Sequence, residues 1–141
     1  MDILEKRITD FIKEHHILTL ATSNENKPYC CTCFYAYMKE LNMFVITSDK
    51  ETKHILDAIK QNNIAGSIAL ETKTIGKIRG IQFTGIIEEL KGSDLKSAKL
   101  AYLKSFPFAI LKLTTIWGIK PEFIKMTDNR LGFGKKIIWT K

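Results

Sequence analysis

The order of strand-like and helix-like segments is the feature that most limits how this chain can fold. After one N-terminal helical segment, runs of β-branched and aromatic residues follow the order strand, strand, strand, helix, strand, strand, helix, strand. Consecutive strands are joined by short connections, which suit antiparallel pairing, and there is no regular strand–helix–strand alternation. We therefore predict an α+β fold in a single domain, residues 1–141, with about six antiparallel strands curled into a barrel or a sandwich.

Three segments have the spacing of helices. The first is predicted over Asp2–His16, with its apolar residues on one side of the helical wheel. The second is predicted over Asp49–Asn62. The third is predicted to begin after Gly92-Ser93-Asp94, with Ser93 as its cap, and to end at Pro107, which cannot continue a helix. Among the strands, Tyr29–Met38 is the most aromatic, and we expect it to be buried on much of both faces.

Composition excludes several classes of protein. The 141 residues are 45% apolar and 10% aromatic, so global disorder is excluded. No apolar run approaches the roughly 20 residues that span a bilayer, and early charges interrupt any signal-peptide pattern. The net charge of +7, from 22 basic and 15 acidic side chains, favours an anionic partner. Three cysteines without framework spacing favour reduced thiols, so we expect a cytoplasmic protein with no membrane partner.

The cysteines and histidines do not predict a metal centre from their spacing. Zinc needs ligands that converge on one point, whereas consecutive strand residues such as Cys30 and Cys31 point to opposite faces. The histidines lack partner carboxylates at ligand spacing. We therefore expect no metal site and assign structural or surface roles to Cys30, Cys31, Cys33, His15, His16 and His54.

A strand that ends in hydroxyl residues and leads into a helix gives a candidate phosphate site. The segment Thr47–Lys53 supplies the hydroxyls of Thr47, Ser48 and Thr52 and the charge of Lys53. The free N–H groups and the dipole at a helix N-terminus favour an anion there. An ordinary capped helix with a solvated lysine explains the same residues, and both alternatives stay open on local sequence.

A glycine-rich strand gives a second candidate site over Gly76–Gly85. Glycines within a strand indicate bulges or the close approach of a ligand or a second backbone. Gln82 lies on the same face as Gly80 and offers the donor and acceptor that suit the edge of a heteroaromatic ring. The alternative is a twisted strand whose glycines turn a corner of the sheet.

Taken together, these features resemble the FMN-binding split β-barrel superfamily, whose best-known enzyme is pyridoxamine 5′-phosphate oxidase. In that family a strand ending in Tyr-Thr is followed, six residues after the Thr, by a phosphate-binding Lys, and Thr47 and Lys53 have this separation. The bacterial YhbP-like branch is more similar, through three strings: IRGIQFTG at 78–85, AYLKSFP at 101–107 and IKMTDNRLGFGKKIIW at 124–139.

The resemblance implies a six-stranded split barrel with about three helices, and a homodimer that holds FMN at the subunit interface. It further implies that the phosphate, the isoalloxazine ring and a loop from the partner chain are contacted by Thr47, Ser48, Thr52, Lys53, Arg79, Gly80, Gln82 and Arg130. The expected activity is that of an FMN-dependent oxidoreductase whose substrate is not identified, and no residue stands out as a catalytic acid or base.

Two departures separate the chain from the oxidases. Cys31 occupies the position at which the oxidases place a phosphate-binding Arg, and Gly132 and Gly134 replace large polar side chains. Pyridoxamine phosphate oxidation is therefore not expected. Two alternatives remain: a ligand-binding or stress-related split barrel that lacks flavin or uses another cofactor such as heme, and a basic nucleic-acid-binding barrel. Spread-out lysines make a nucleic-acid partner the least favoured of these.

Overall fold

A computed structural model describes residues 4–141, so Asp2 and Ile3 of the first predicted helix lie outside the described residues. No helix in the described part of the chain is long and apolar enough to cross a membrane. The helices are α1 (Lys6–Glu14), α2 (Lys53–Lys60) and α3 (Gly92–Ser105), with short 3₁₀ turns at Lys39–Leu41, Ile75–Lys77, Pro107–Lys112 and Asn129–Leu131. The strands are β1 (Ile17–Asn24), β2 (Lys27–Phe34), β3 (Ala36–Met38), β4 (Met43–Thr47), β5 (Asn63–Ala69), β6 (Arg79–Glu89), β7 (Ile116–Asp128) and β8 (Lys136–Thr140).

The strands form one antiparallel sheet in the order β2-β1-β5-β6-β7-β4-β3, and β8 pairs with β7. The long strand β7 pairs with β6 along one edge, while its other edge pairs with β4 at one end and β8 at the other. The α+β class, the antiparallel sheet and the three helices are confirmed. The prediction of six strands is wrong: residues 4–141 contain eight.

One of the extra strands arises from a break at Tyr35. The predicted strand Tyr29–Met38 divides there into β2, which pairs with β1, and β3, which pairs with β4. Tyr35 is buried, and its hydroxyl donates a 2.6 Å hydrogen bond to the carbonyl oxygen of Ile12 in α1. The expected burial of this segment on both faces is wrong for β2, which is an edge strand with Tyr29 and Phe34 exposed.

The larger of two core clusters combines buried residues of the sheet with residues of α1 and α2, and the second packs α3 against the sheet. Ile8 and Ile12 of α1 are fully buried, and Phe44 of β4 stacks on Phe83 of β6 with their centroids 4.8 Å apart. Each such buried apolar side chain contributes about 1.5–3 kcal/mol. On β6, Ile81 and Phe83 face this core while Gln82 and Thr84 are exposed, because successive strand residues point to opposite faces.

A bulge in β6 explains one of the strand glycines. The pairing of β6 with β7 shifts register between Thr84 and Gly85. A Cβ atom at Gly85 would lie 2.3 Å from the carbonyl oxygen of Lys120, far inside contact distance. Gly85 is therefore required by the close approach of β7, as expected for a glycine that bends a strand.

Candidate functional site

A cluster of polar side chains surrounds the start of α2. Ser48 Oγ lies 2.7 Å from Nε2 of His54 and 3.3 Å from Oγ1 of Thr52. The indole Nε1 of Trp117, on β7, donates a 2.9 Å hydrogen bond to the carbonyl oxygen of Ser48. The connection between β4 and α2 is thus held against β7, which fixes the position of these hydroxyls.

The first turn of α2 lacks a side-chain cap. Thr52 occupies the N-cap position, but its hydroxyl donates to the carbonyl oxygen of Asp49 at 2.9 Å instead of accepting from the helix. The N–H groups that begin a helix have no partner within the helix itself. An anion at this end of α2 would therefore meet N–H donors that no side chain of residues 4–141 caps.

Lys53 places a positive charge at the start of α2, where it forms an ion pair with Asp57. The ammonium group lies 3.0 Å from Oδ2 of Asp57 and 5.1 Å from the ring centroid of Tyr29. Asp57 is buried, whereas 60% of the Lys53 side chain is exposed. An ammonium has three donors, so a phosphate at Lys53 would share this group with the Asp57 carboxylate.

Thr47 faces away from the Ser48 cluster. Its hydroxyl donates to the phenol oxygen of Tyr102 on α3 at 3.5 Å. Since Thr47 is the last residue of β4, it and Ser48 are placed on opposite sides of the chain by strand alternation. The structure thus brings Ser48 and Thr52 together, with Lys53 beside them, and turns Thr47 towards α3.

The second group of predicted residues lies at the other end of β6. Arg79 pairs with Asp128 in the sheet register, whereas Glu89, ten residues later, pairs with Trp117 beside Ser48. Ten residues of strand correspond to about 33 Å. The structure therefore does not bring Arg79 to Ser48.

Arg79, Gly80 and Gln82 line one open depression of about 480 Å³ on the sheet. A Cβ atom at Gly80 would lie 3.1 Å from the carbonyl oxygen of Ile68, so the approach of β5 already favours glycine there. Gln82 is exposed. Arg79 instead turns towards α1, where Nη1 donates to Glu14 at 3.2 Å and the guanidinium lies over the Phe11 ring.

Arg130 lies near the same end of the sheet and is held by Asp128. Its Nε and Nη2 donate to the two carboxylate oxygens at 3.0 and 2.8 Å, and its backbone N–H donates to Oδ1. These hydrogen bonds hold the pKa of the fully buried Asp128 below its usual range. The neighbouring loop exposes 88% of Phe133.

The cluster that the sequence reasoning missed combines two thiols with an imidazole. Cys31 Sγ and Cys33 Sγ lie 3.7 Å apart on the same face of β2, and their sulfur atoms and one ring nitrogen of His54 lie within 4.8 Å of one another. Burial lowers the pKa of His54. The hydrogen bond between the two thiols lowers the pKa of Cys31 and raises that of Cys33.

One part of this cluster was visible in the sequence. Residues two apart in a strand share a face, so Cys31 and Cys33 were a better candidate pair than the adjacent Cys30 and Cys31. His54 joins them only because α2 packs against β1 and β2, a tertiary contact that no local pattern predicts.

Comparison with proteins of known sequence gives relatives that match over nearly the full chain. The UPF0306 protein YhbP of Escherichia coli O157:H7 is 35% identical over 134 residues, covering 95% of this chain and 91% of the relative. A UPF0306 protein of Klebsiella pneumoniae is 34% identical over 131 residues, covering 93% and 89%. No protein-family model matches the chain.

Solved structures share the fold at low sequence identity. A heme binding protein from Mycobacterium smegmatis has a TM-score of 0.76 at 17% identity, covering 89% of this chain and 52% of that one. A NimC/NimA family protein from Clostridium acetobutylicum has a TM-score of 0.73 at 18% identity, covering 96% and 91%. A FAD-binding protein from Mesorhizobium loti has a TM-score of 0.71 at 14% identity, covering 85% and 89%.

Proposed function

The chain belongs to the UPF0306 family of YhbP proteins, as its sequence resemblance implied. We propose that it is a cytoplasmic homodimer that binds FMN and acts as a flavin-dependent oxidoreductase. The observation that carries the proposal is the uncapped start of α2 beside the Ser48 and Thr52 hydroxyls. Neutral hydroxyl donors, helix N–H groups and one exposed ammonium are a donor set that fits a phosphate monoester.

A homodimer explains why the predicted residues form two groups. In one protomer, the Ser48 group and the Gln82 depression lie at opposite ends of β6. A two-fold dimer can place the α2 end of one protomer beside the Gln82 end of its partner. The exposed aromatic side chains of β2 and of the loop at Phe133 offer apolar surface for such contacts.

The roles that follow are binding and orientation. Ser48, Thr52 and Lys53 hold the phosphate, and Gly80 and Gln82 face the ring of the cofactor from the partner. When bound, FMN supplies two-electron transfer, and the protein positions it. Arg79 and Arg130 contribute charge at the ring end, although each is paired with a carboxylate within its own protomer. Thr47 supports the site through its contact with Tyr102.

A ligand-binding split barrel that uses heme in place of flavin is a second candidate. It is favoured by the shared fold of the heme binding protein and by the half-buried imidazole of His54 in a polar cluster. An absorbance scan of the purified protein separates the two, because flavin and heme have different visible spectra.

Titration of FMN into the chelator-treated protein, followed by quenching of flavin fluorescence, tests the main proposal. We expect micromolar binding, and at least about tenfold weaker binding for Lys53→Ala, since one charged phosphate contact contributes about 1.5–3 kcal/mol. Lys60→Ala is the matched control, because Lys60 is exposed at the opposite end of the same helix. Absence of binding at millimolar FMN would overturn the proposal.

A further inference from the structure

The thiols of Cys31 and Cys33 lie at a separation that suits a shared metal ion. Their sulfur atoms are 3.7 Å apart, and two thiolates on one tetrahedral zinc, each at about 2.3 Å, are about 3.8 Å apart. The ring nitrogen of His54 completes a triangle of ligand atoms within 4.8 Å of one another. A small adjustment of half-buried side chains would bring all three to ligand distance.

The same geometry disfavours a disulfide between these cysteines. Residues two apart in a strand have Cα atoms about 6.6 Å apart, near the upper limit for a disulfide. A metal ion needs no such approach, since it lies between the sulfur atoms. The pair is thus better placed to share an ion than to form a bond.

We propose that Cys31, Cys33 and His54 bind a thiophilic metal ion, Zn²⁺ in the first place, with the fourth position open to an outside ligand. Two thiolates and one imidazole are a soft donor set that selects zinc over magnesium or calcium. Three protein ligands with an open position are typical of zinc sites that take water or substrate. The two thiolates neutralise the charge of the ion, which suits a half-buried site.

Neighbouring hydroxyls orient the imidazole. Nε2 of His54 lies 2.7 Å from Oγ of Ser48 and 3.4 Å from Oγ1 of Thr52. Such polar partners of a ligating histidine fix its ring orientation. The metal site does not depend on flavin binding, although it shares the Ser48 neighbourhood with the proposed phosphate site.

Cobalt substitution is the direct test. The full chain is reduced, stripped with a chelator and titrated without FMN, first with Co²⁺ and then with Zn²⁺ in competition. We expect one ion per chain, a thiolate-to-cobalt charge-transfer band and the intense visible bands of tetrahedral Co²⁺. The Cys31→Ser, Cys33→Ser and His54→Ala variants should each bind at least about tenfold more weakly.

The chain provides matched controls for each ligand. Cys30 is exposed on the opposite face of β2, and His16 is exposed beside β1, so Cys30→Ser and His16→Ala should bind as the unmodified protein does. Circular dichroism of every variant confirms that it is folded. No stoichiometric binding, or equal losses in Cys30→Ser and Cys31→Ser, would overturn the metal site. Neither result bears on FMN, which is titrated separately in chelator.

Discussion

The Arg79 end of β6 and the start of α2 differ in how their polar groups are used. At the Arg79 end, the guanidinium groups are already paired: Arg79 with Glu14, and Arg130 with Asp128. Around the start of α2, the Ser48 and Thr52 hydroxyls, the thiols and the His54 imidazole mostly contact one another, and the Lys53 ammonium is paired with Asp57. Neutral groups in mutual contact exchange partners for a ligand at a lower cost than a guanidinium that is already paired with a carboxylate.

This contrast shows that a positively charged side chain is not necessarily free to bind a ligand. The net charge of +7 pointed to an anionic partner, and Lys53, Arg79 and Arg130 were the charged candidates to bind it. Both arginines are instead already paired with carboxylates of the same chain, Arg79 with Glu14 and Arg130 with Asp128. The groups best placed to bind something new are the neutral ones at the start of α2. We therefore expect substitutions in the two arginine–carboxylate pairs to change mainly stability, and substitutions at the start of α2 to change mainly binding.

The largest effect is expected at the bulge between the two ends. In Gly85→Ala, the new Cβ would collide with the backbone of Lys120 at 2.3 Å, so β6 or β7 must shift. We expect a loss on the order of 3 kcal/mol in the free energy of unfolding, measured by urea denaturation. Gly76→Ala is the control, since a Cβ there meets nothing within 4 Å. Equal stability of the two variants would show that the bulge is not a constraint.

The next effect is expected at Asp128. Asp128→Asn removes the charged partner of Arg130 and should lower the free energy of unfolding at neutral pH by about 1–3 kcal/mol. The loss should fall in the lower part of this range, because Arg130 is half exposed and solvent screens the ion pair. Asp49→Asn, at an exposed position near the other end, should change it by about 0.5 kcal/mol or less. A larger loss at Asp49 would reverse the contrast between the ends.

The loss of stability caused by Asp128→Asn should be larger at neutral pH than at acid pH. The pKa of Asp128 is lowered in the folded state, mainly by the Arg130 hydrogen bonds. Its contribution to stability is therefore present above its unfolded pKa and is lost as the pH falls through the folded value. Denaturation curves at neutral and at acid pH should show the difference between Asp128→Asn and the unmodified protein shrinking in acid. A difference that stays constant would contradict the ion pair.

Local patterns predicted the elements but not the contacts between them. Alternation on β6 placed Gln82 on the face of Gly80, and Gln82 is exposed between the buried Ile81 and Phe83, because strand period is a local property. The break at Tyr35 was not predictable, since an aromatic residue fits equally well within a strand or at the corner between two. The Arg79–Glu14 pair joins residues 65 positions apart. Such a pair depends on how α1 packs on the sheet.

The smallest change in stability is expected at Ser48, and it tests the contrast most directly. Ser48→Ala removes one hydrogen bond to His54 and leaves the Trp117 bond to the Ser48 carbonyl intact. The free energy of unfolding should fall by about 1 kcal/mol or less, because a neutral hydrogen bond contributes about 0.5–1.5 kcal/mol.

Ser48→Ala should lower the affinity for FMN more clearly than it lowers the free energy of unfolding. Loss of one phosphate donor weakens affinity by roughly two- to tenfold, measured by the fluorescence titration used for Lys53→Ala. Thr19→Ala is the control for loss of a hydroxyl, since Thr19 lies exposed on β1. If Ser48→Ala keeps full FMN affinity while Asp128→Asn loses it, the cofactor phosphate lies at the arginine end of β6. Arg79 and Arg130 would then have to leave their carboxylate partners and pair with the phosphate.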